Sequence, residues 1–324
     1  MSRFAITLVA ATLACSGAFA QTTRLKAWNI HPDGYPVTDA MKSFAAEVEK
    51  ATKGRYEIEL HSNGVLGDQP QAVQMLKQGQ IDVAEFSLGP LSEAAPAAKA
   101  LTLPFLFKNA QHMFAEIDGN LGKRYEERLK ASGYVVLGWY DGGARSFYCR
   151  NKPLQQVADF QGLNIRVQNS EIYVEMVKGL GAVPKTIPYK DTLAALERGD
   201  VDCAENNLPS FISTGHYKVA KYVWLTNHVV VPEALVMSTS AWDKLSPADQ
   251  QAFRLAGQNS ARVMRELWNR KVDEARDIAK KAGVQFLPVE NYMSLIRRMQ
   301  ALHGRYLSDP QTREELLSIL AKGV

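Results

Sequence analysis

Two segments of the chain share a helix–glycine–strand pattern, and this repeat constrains the fold more than any other feature. Residues 71–85 (QAVQMLKQGQIDVAE) align with residues 191–205 (DTLAALERGDVDCAE), so that Gly199 falls 120 positions after Gly79. In each copy an amphipathic helix pattern ends at a glycine, which readily takes the positive φ of a helix end, and a strand pattern follows. The repeat predicts two similar α/β lobes with a binding cleft between them. Coincidence is the alternative, because this connection is common in α/β proteins.

The order of elements near the start of the chain also indicates an α/β sheet. Residues 24–30 alternate apolar and polar side chains as a strand does, and residues 31–36 (HPDGYP) form a loop before a helix pattern. A second strand pattern covers residues 56–61, and residues 62–68 form a glycine-containing loop into another helix. Strands that alternate with helices predict a parallel or mixed sheet, whose ligands bind at the carboxyl ends of the strands.

The last part of the chain predicts one very long helix. Ser246 is a helix-capping residue type, Pro247 suits the first turn, and no break in the pattern occurs before Gly283. Such a helix of about 35 residues is roughly 50 Å long. We expect it to brace both lobes.

Residues 1–20 have the pattern of a secretory signal peptide. Arg3 precedes an apolar run over residues 4–14, and Ala18-Phe19-Ala20 forms the exit. The apolar run is shorter than the roughly 20 residues that a membrane-spanning helix needs. We therefore predict cleavage after Ala20 and a periplasmic protein that does not itself insert into the membrane.

The overall charge and the cysteines limit the partners and the compartment. Lys and Arg number 38 and Asp and Glu number 34, a net charge of +4 that is too small over 324 residues to indicate a nucleic-acid partner. After cleavage two cysteines remain, Cys149 and Cys203. They could form a disulfide in an oxidising compartment, but sequence spacing leaves the pairing open.

Local motifs of catalysis and of metal binding are missing from the sequence. It contains no Gly-x-Ser-x-Gly, Ser-x-x-Lys, His-Glu-x-x-His, Cys-x-x-Cys, Gly-x-Gly-x-x-Gly or phosphate-binding loop, and no two of its six histidines lie within four positions of each other. We predict no catalytic residue, metal or cofactor. A carboxylate pair of the glycosidase kind stays open, because such residues meet only in the fold.

Two arginines lie in segments that could bind an anion. Arg166 stands in the strand pattern of residues 162–169, and Arg145 follows the aromatic segment Trp139-Tyr140. In a partly desolvated cleft a guanidinium group can hold a carboxylate by two parallel hydrogen bonds. A surface ion pair is the alternative, and the spacing alone does not decide between them.

A set of motifs in a fixed order decides between these alternatives. The motifs are Gly64–Asp68 (GVLGD), Gly79–Asp82 (GQID), Leu101–Phe105 (LTLPF), Gly162–Val167 (GLNIRV), Gly199–Asn206 (GDVDCAEN) and Thr226–His228 (TNH). Together they cover essentially the whole chain after the signal peptide, and the chain resembles the periplasmic solute-binding proteins of TRAP transporters, the C4-dicarboxylate-binding (DctP-like) type.

The resemblance implies a two-lobed periplasmic-binding-protein fold with a cleft between the lobes and a long helix that bridges both. We assign residues 21–145 mainly to lobe 1, residues 146–235 mainly to lobe 2, and residues 236–324 to the bridging helix and C-terminal helices. The resemblance also implies a monomer that delivers a small organic anion to one small and one large membrane subunit. A periplasmic sensor and a secreted hydrolase are the alternatives.

The same resemblance assigns the residues that bind the anion. Arg166 matches the arginine that pairs with the ligand carboxylate, and Asn206 and Asn169 match its hydrogen-bonding partners. Tyr189 resembles an aromatic residue that lines the pocket, and Arg145 resembles a second arginine that contacts the ligand.

Four further residues complete the predicted site. Asp68 and Glu85 match positions that in some members meet ligand hydroxyls or amines, and their alternatives are a helix N-terminal acid and a strand-end acid. His31 opens a His-Pro loop like that of members of the family that bind sugar acids such as aldonates or uronates. Asn29, two residues before His31, is also included in the predicted site. The alternative for this loop is a proline-rigid segment with a structural tyrosine. We therefore expect a sugar acid or another hydroxy-carboxylate as the ligand.

Overall fold

A computed structural model describes residues 22–322, so the predicted signal peptide lies outside the described residues. Strands in this part of the chain join into one mixed sheet. They are β1 Thr23–Trp28, β2 Tyr56–His61, β3 Val83–Ser87, β4 Tyr134–Cys149, β5 Asn164–Val167, β6 Val183–Thr186, β7 Cys203–Asn206, β8 Tyr222–Ser238 and β9 Gln285–Leu287.

Helices cover the sheet. The α-helices are α1 Pro36–Ala51, α2 Gln69–Lys77, α3 Leu88–Ala94, α4 Ala110–Ile117, α5 Asn120–Ala131, α6 Glu171–Gly179, α7 Thr192–Arg198, α8 Leu208–Ser213, α9 Thr239–Trp242, α10 Pro247–Lys281, α11 Tyr292–Arg298, α12 Gln300–Leu307 and α13 Pro310–Lys322. Short 3-10 helices lie at Pro96–Thr102, Val157–Phe160, Tyr189–Asp191 and His216–Lys218. Over residues 22–322, no helix is both long and apolar enough to cross a bilayer.

The strand order divides the sheet into two halves of equivalent topology. The order is β2-β1-β3-β8-β4-β7-β5-β6, and β9 pairs with β8. In one half β1 lies between β2 and β3, and in the other β5 lies between β6 and β7, all in parallel pairs. We call the half around β1–β3 the first lobe and the half around β5–β7 the second lobe. The predicted two-lobed α/β fold is confirmed.

Two long antiparallel strands pass through both lobes. β8 pairs with β3 through residues 233–237, while β4 pairs with β7 through residues 146–149. β4 and β8 also pair with each other along their length, with an irregularity between Asp141 and Ala144. The lobe boundaries predicted near residues 145 and 235 fall inside these shared strands, and they stay a prediction.

The sequence repeat corresponds to the third strand of each lobe and the helix before it. Residues 71–85 form α2 and the start of β3, and residues 191–205 form α7 and most of β7. Both helix-to-strand connections contain a glycine with positive φ, +71° at Gly79 and +82° at Gly199. A side chain with a Cβ rarely takes this conformation, which explains why both copies have glycine there.

The predicted long helix is α10, which has 35 residues. Its first turn is capped by Ser246, whose Oγ accepts a hydrogen bond from the Asp249 backbone N–H at 3.2 Å. The helix packs against α1 of the first lobe, against β4, and against α8 of the second lobe. Gly257 lets it approach β4 closely, since a Cβ at this position would lie 2.4 Å from the Leu137 carbonyl oxygen. The bridging role is confirmed.

A disulfide joins Cys149 and Cys203, the pair that the sequence left open. The two residues lie directly opposite each other where β4 ends and β7 begins. The bond therefore fixes β4, which runs through both lobes, to β7 of the second lobe.

Loss of this disulfide should destabilise the protein. It closes a loop with a sequence separation of 54 residues, and the chain entropy of a loop that size corresponds to about 4 kcal/mol. We expect the double variant Cys149→Ser/Cys203→Ser to lose free energy of unfolding of this order in urea titrations. A reductant should destabilise the wild type but not the variant. A loss below about 1 kcal/mol would contradict the prediction.

Candidate ligand-binding site

The cleft between the lobes contains two adjoining cavities. One has a volume of about 270 Å³ and is lined by Arg166, Gln168 and Asn169 of the second lobe. The other, of about 240 Å³, is lined by Pro32 of the first lobe and His216 of the second, among others. Asp68 and Tyr189 line both cavities, so the two lie side by side.

A larger groove of about 410 Å³ lies on the surface between α5 and α10. Its Arg265 is already held by Asp118, with Nη1 to Oδ2 at 2.6 Å, and stacks on Phe114. The other cations of the groove, Lys123, Arg254 and Arg262, are exposed, so water already solvates their charges. Arg166 of the cleft is buried, and we therefore place the site in the cleft.

Arg166 is a buried cation without an anionic partner. Its side chain is 2% exposed, and its Nε donates to the Ile187 carbonyl oxygen at 2.9 Å. Within residues 22–322 it forms no salt bridge, and its terminal nitrogens donate no hydrogen bond. Burial lowers the pKa of Arg166 from its high ordinary value, which reflects the cost of an uncompensated charge in the interior. An anion in the cleft would remove that cost.

Arg145, in contrast, is paired within the protein. Its Nη2 donates to Glu205 Oε1 at 2.8 Å and to the Glu205 carbonyl oxygen at 2.9 Å, and its Nε donates to the other carboxylate oxygen. Burial alone would raise the pKa of Glu205, but the Arg145 charge and the hydrogen bond from His228 outweigh burial and lower the pKa to about 2. The pair is therefore ionised and neutral overall, and it does not compensate the charge of Arg166.

Asn206 is oriented by this pair. Its Oδ1 accepts from Arg145 Nη1 at 2.9 Å and from the Asn207 backbone N–H at 2.8 Å. With the oxygen so occupied, the amide NH₂ group is the part of Asn206 that can donate to a ligand. Asn169 is exposed, follows β5, and lines the cavity beside Arg166.

Tyr148 and His216 add a neutral polar pair near Arg166. The Tyr148 hydroxyl is hydrogen-bonded to His216 Nδ1 at 2.8 Å. Burial first, and then the Arg166 charge, lower the pKa of His216 to about 3, so the ring is neutral. Its Nε2 is buried without a partner in the described part of the chain. No pattern in the sequence indicated His216, because its link to the site is a contact between β4 and a distant 3-10 helix.

Asp68 lies at the N-terminus of a helix, which was the stated alternative to ligand binding, and it also faces the cleft. It is the N-cap of α2, where its carboxylate accepts from the Gln71 backbone N–H at 3.2 Å. It is half-buried and lines both cavities. The two roles are compatible, since a carboxylate has further acceptor positions.

His31 lies at the first-lobe side of the cleft. Its ring stacks on Tyr35 at 3.8 Å between centroids and meets the Tyr189 ring edge-on at 5.6 Å. Burial lowers the pKa of His31 to about 3, so this ring is also neutral. Asn29 shapes the same loop, because its Oδ1 accepts from the His31 backbone N–H at 3.0 Å and its Nδ2 donates to Thr38.

Glu85 lies on β3 and is 1% exposed, with its Oε1 unpartnered among the described residues. Burial raises its pKa to about 8. The neighbouring Glu233 of β8 also has a raised pKa, because of burial and then the proximity of Glu85. Sequence reasoning missed Glu233, since nothing local distinguishes it within an apolar strand.

Several hydrogen bonds join the lobes, among them one from the Tyr35 hydroxyl to Asn207 Oδ1 at 3.4 Å and one from the Glu171 backbone N–H to Glu93 Oε1 at 2.9 Å. Gln168 Nε2 donates to Ser87 Oγ at 3.1 Å, and the hydroxyls of Tyr35 and Ser210 are 2.9 Å apart. The lobes therefore enclose the space that Arg166 faces. Chemically, the arrangement suits an anion with further polar groups, held from both lobes.

Comparison with known proteins agrees with this arrangement. A family model, "Bacterial extracellular solute-binding protein, family 7" (DctP), matches residues 29–309. A solute-binding protein of Chromohalobacter salexigens is 37% identical over 299 residues, which are 92% of this chain and 89% of that protein.

Two solved structures are similar over nearly their whole length. One is a TRAP periplasmic solute-binding protein from Roseobacter denitrificans with bound β-D-glucuronate, at 35% identity and a TM-score of 0.89 over 92% of this chain and 98% of that one. The other, from a Sulfitobacter strain with bound β-D-galacturonate, has 36% identity and a TM-score of 0.88 over 92% and 99%.

These proteins bind solutes and are not enzymes, as the sequence analysis expected of this chain. The family is described as extracellular, and the two solved structures are of periplasmic TRAP proteins that hold a hexuronate. The match to the family model spans most of the chain, and the strand order and the cleft agree with it. The chain therefore belongs to the DctP family, the family 7 bacterial extracellular solute-binding proteins of TRAP transporters.

Proposed function

We propose that this chain binds a sugar acid, most closely a hexuronate, in the periplasm and delivers it to the membrane subunits of a TRAP transporter. The observation that carries the proposal is Arg166, a buried guanidinium group with no anionic partner in the described chain. The glucuronate and galacturonate bound by the two similar structures support the ligand class.

In this proposal the ligand carboxylate docks on the terminal nitrogens of Arg166 by two parallel hydrogen bonds. Asn206 and Asn169 donate to the same group, and Tyr189 covers one face of the ligand. Arg145 acts through Glu205 and Asn206, whose positions it fixes. Contacts from both lobes are complete only when the cleft is closed, so the ligand shifts the protein towards the closed form that the membrane subunits recognise. The mature chain acts as a monomer after cleavage of residues 1–20.

A thermal-shift screen tests this function. The mature protein, refolded to remove carried-over ligand, is heated with D-glucuronate, D-galacturonate, D-gluconate, succinate, 2-oxoglutarate, benzoate and sialic acid. A ligand of the native state contributes about 2.7 kcal/mol at a hundredfold excess over its Kd. We expect the largest shift from a hexuronate, with no turnover of it. A screen in which no acid raises the midpoint would contradict the proposal.

The geometry of the Arg166 guanidinium should matter more than its charge. Arg166→Lys keeps the positive charge but loses the planar pair of donors, so we expect hexuronate affinity to fall about 100-fold while the fold persists. Isothermal titration calorimetry measures the affinity, and circular dichroism monitors the fold. The matched control is Arg265→Lys, an arginine paired with Asp118 outside the cleft, which should bind like the wild type. Equal affinities in both variants would remove Arg166 from the site.

The buried Glu85 should reduce the stability of the ligand-free protein as pH rises. Its pKa in the folded protein is about 8, against an ordinary value of 4.5, so at neutral pH it takes up a proton on folding. The stability that depends on this proton is complete below the ordinary pKa and is lost as pH rises towards 8. As pH rises from 5 to 7, the free energy of unfolding of Glu85→Gln should increase by about 2 kcal/mol relative to that of the wild type. Urea unfolding at the two pH values measures this change.

The matched control is Glu205→Gln. Glu205 has a pKa of about 2 in the folded protein, so its stabilising effect is lost only as pH falls from the ordinary pKa of 4.5 towards 2. Its difference from wild type should therefore be nearly the same at pH 5 and pH 7. A pH-independent difference for Glu85→Gln would show that Glu85 is ionised in the folded protein.

A further inference from the structure

Tyr35 joins the lobes at a place that lines neither cavity of the cleft. Its hydroxyl donates to Asn207 Oδ1 at 3.4 Å and lies 2.9 Å from Ser210 Oγ. Tyr35 immediately precedes α1 of the first lobe, whereas Asn207 and Ser210 lie at the start of α8 in the second lobe. Tyr35 is 2% exposed and Ser210 is 1% exposed. This buried contact therefore exists only while the two lobes touch.

The sequence repeat gives this contact a counterpart. The offset of 120 residues between the two copies also relates Ser87 to Asn207. Each of these residues is the N-cap of the helix that follows the third strand of its lobe, α3 for Ser87 and α8 for Asn207. Each accepts a hydrogen bond from the opposite lobe, Ser87 from Gln168 after β5 and Asn207 from Tyr35 after β1. The lobes thus hold each other at equivalent positions.

Asn207 also links the contact to the strand that the lobes share. Its Nδ2 donates to the Gly142 carbonyl oxygen at 2.7 Å. Gly142 lies in the irregular stretch of β4 over residues 141–144, which has first-lobe pairing with β8 before it and pairing with β7 after it. A domain rotation is absorbed by a few residues that can change φ and ψ, and this stretch contains two adjacent glycines. The Tyr35 contact therefore lies beside the place where the lobes can hinge.

The ring of Tyr35 is held in the closed cleft independently of its hydroxyl. It stacks on the His31 ring at 3.8 Å between centroids and meets the Trp268 ring of α10 edge-on at 5.9 Å. Replacement of Tyr35 by phenylalanine keeps both ring contacts. The substitution therefore removes the contact between the lobes and little else.

We propose that the Tyr35 hydroxyl is a latch, a contact that holds the closed cleft shut and slows ligand release without touching the ligand. In the open form this hydroxyl bonds to water, so its contact with α8 contributes only after the lobes have met. A ligand enters before closure and leaves after opening. The latch therefore acts on the rate of release and not on the rate of association. The inference rests on the proposed function and adds to it a positioning residue.

Stopped-flow binding and release of D-glucuronate and D-galacturonate, followed by tryptophan fluorescence, tests the latch. We expect Tyr35→Phe to release a bound hexuronate about two- to tenfold faster, which is the value of one hydrogen bond, with association within about twofold of the wild type. Ser210→Ala removes the same contact from the second lobe and should also speed release. In the double variant the two effects should not add, because both substitutions remove one contact.

The matched control is Tyr140→Phe. The Tyr140 hydroxyl is also buried and lies 2.8 Å from Ser260 Oγ, but its ring packs in the apolar core between the first lobe and α10. We expect this variant to release the ligand at the wild-type rate and to lower the midpoint of urea unfolding of the ligand-free protein. Tyr35→Phe should lower that midpoint less and speed release more.

The outcomes separate the latch from the proposed function. Release rates of Tyr35→Phe and Ser210→Ala within about 1.5-fold of the wild type would overturn the latch and leave the function standing. Slower association at an unchanged release rate would also overturn it, because the hydroxyl would then act on ligand entry. Fully additive effects in the double variant would overturn it as well. If Tyr35→Phe does not fold, the release rate of Ser210→Ala decides. A wild type that binds neither acid overturns the proposed function, and the latch falls with it.

Discussion

The buried ion pair between Arg145 and Glu205 is the interaction on which the rest of the site depends. It joins β4, which runs through both lobes, to β7 of the second lobe, and the register that places Phe147 opposite Glu205 also places Cys149 opposite Cys203. Removal of one partner from a buried pair leaves an uncompensated charge, which typically costs 3–5 kcal/mol. Because Glu205 neutralises Arg145, that pair does not compensate the buried charge of Arg166, which has no anionic partner in the described chain.

Like Arg166, other side chains around the cleft have polar groups that the protein leaves unpaired. A buried polar atom without a partner in the described chain occurs in each of His31, Glu85, Tyr173, Tyr189 and His216. Such atoms cost free energy in the ligand-free protein, typically about 1–3 kcal/mol each. The large apolar cores of the two lobes and the packing of α10 across them offset that cost. A polar ligand that forms hydrogen bonds with these atoms removes this free-energy cost when it binds. A ligand that lacks the matching groups does not, so the unpaired atoms contribute to selective binding.

The sequence predicted the features that depend on local pattern. The repeat at residues 71–85 and 191–205 indicated two lobes, and Ser246, Pro247 and Gly283 marked the ends of α10 within two residues. Contacts between strands that are distant in the chain could not be predicted from local sequence patterns. Glu233 approaches Glu85 only because β8 crosses to the first lobe, and the Arg145–Glu205 pair needs the β4–β7 register. Cys149 and Cys203 stayed open for the same reason. The roles of Arg166 and its neighbours came from a family resemblance, because one arginine in a strand pattern is as compatible with a surface ion pair.

Access to the site has a physical consequence for transport. Arg166 is 2% exposed and Glu85 is 1% exposed, so a ligand cannot reach both from solvent while the lobes touch. The hydrogen bonds between the lobes, Gln168–Ser87 and Tyr35–Ser210 among them, must break first. Each is typically worth only about 0.5–1.5 kcal/mol net. In the proposed function a bound anion would contact Arg166 on one lobe and Glu85 on the other, and these contacts would be complete only in the closed form. Ligand binding would then favour the closed form, which is the difference that a membrane partner has to recognise.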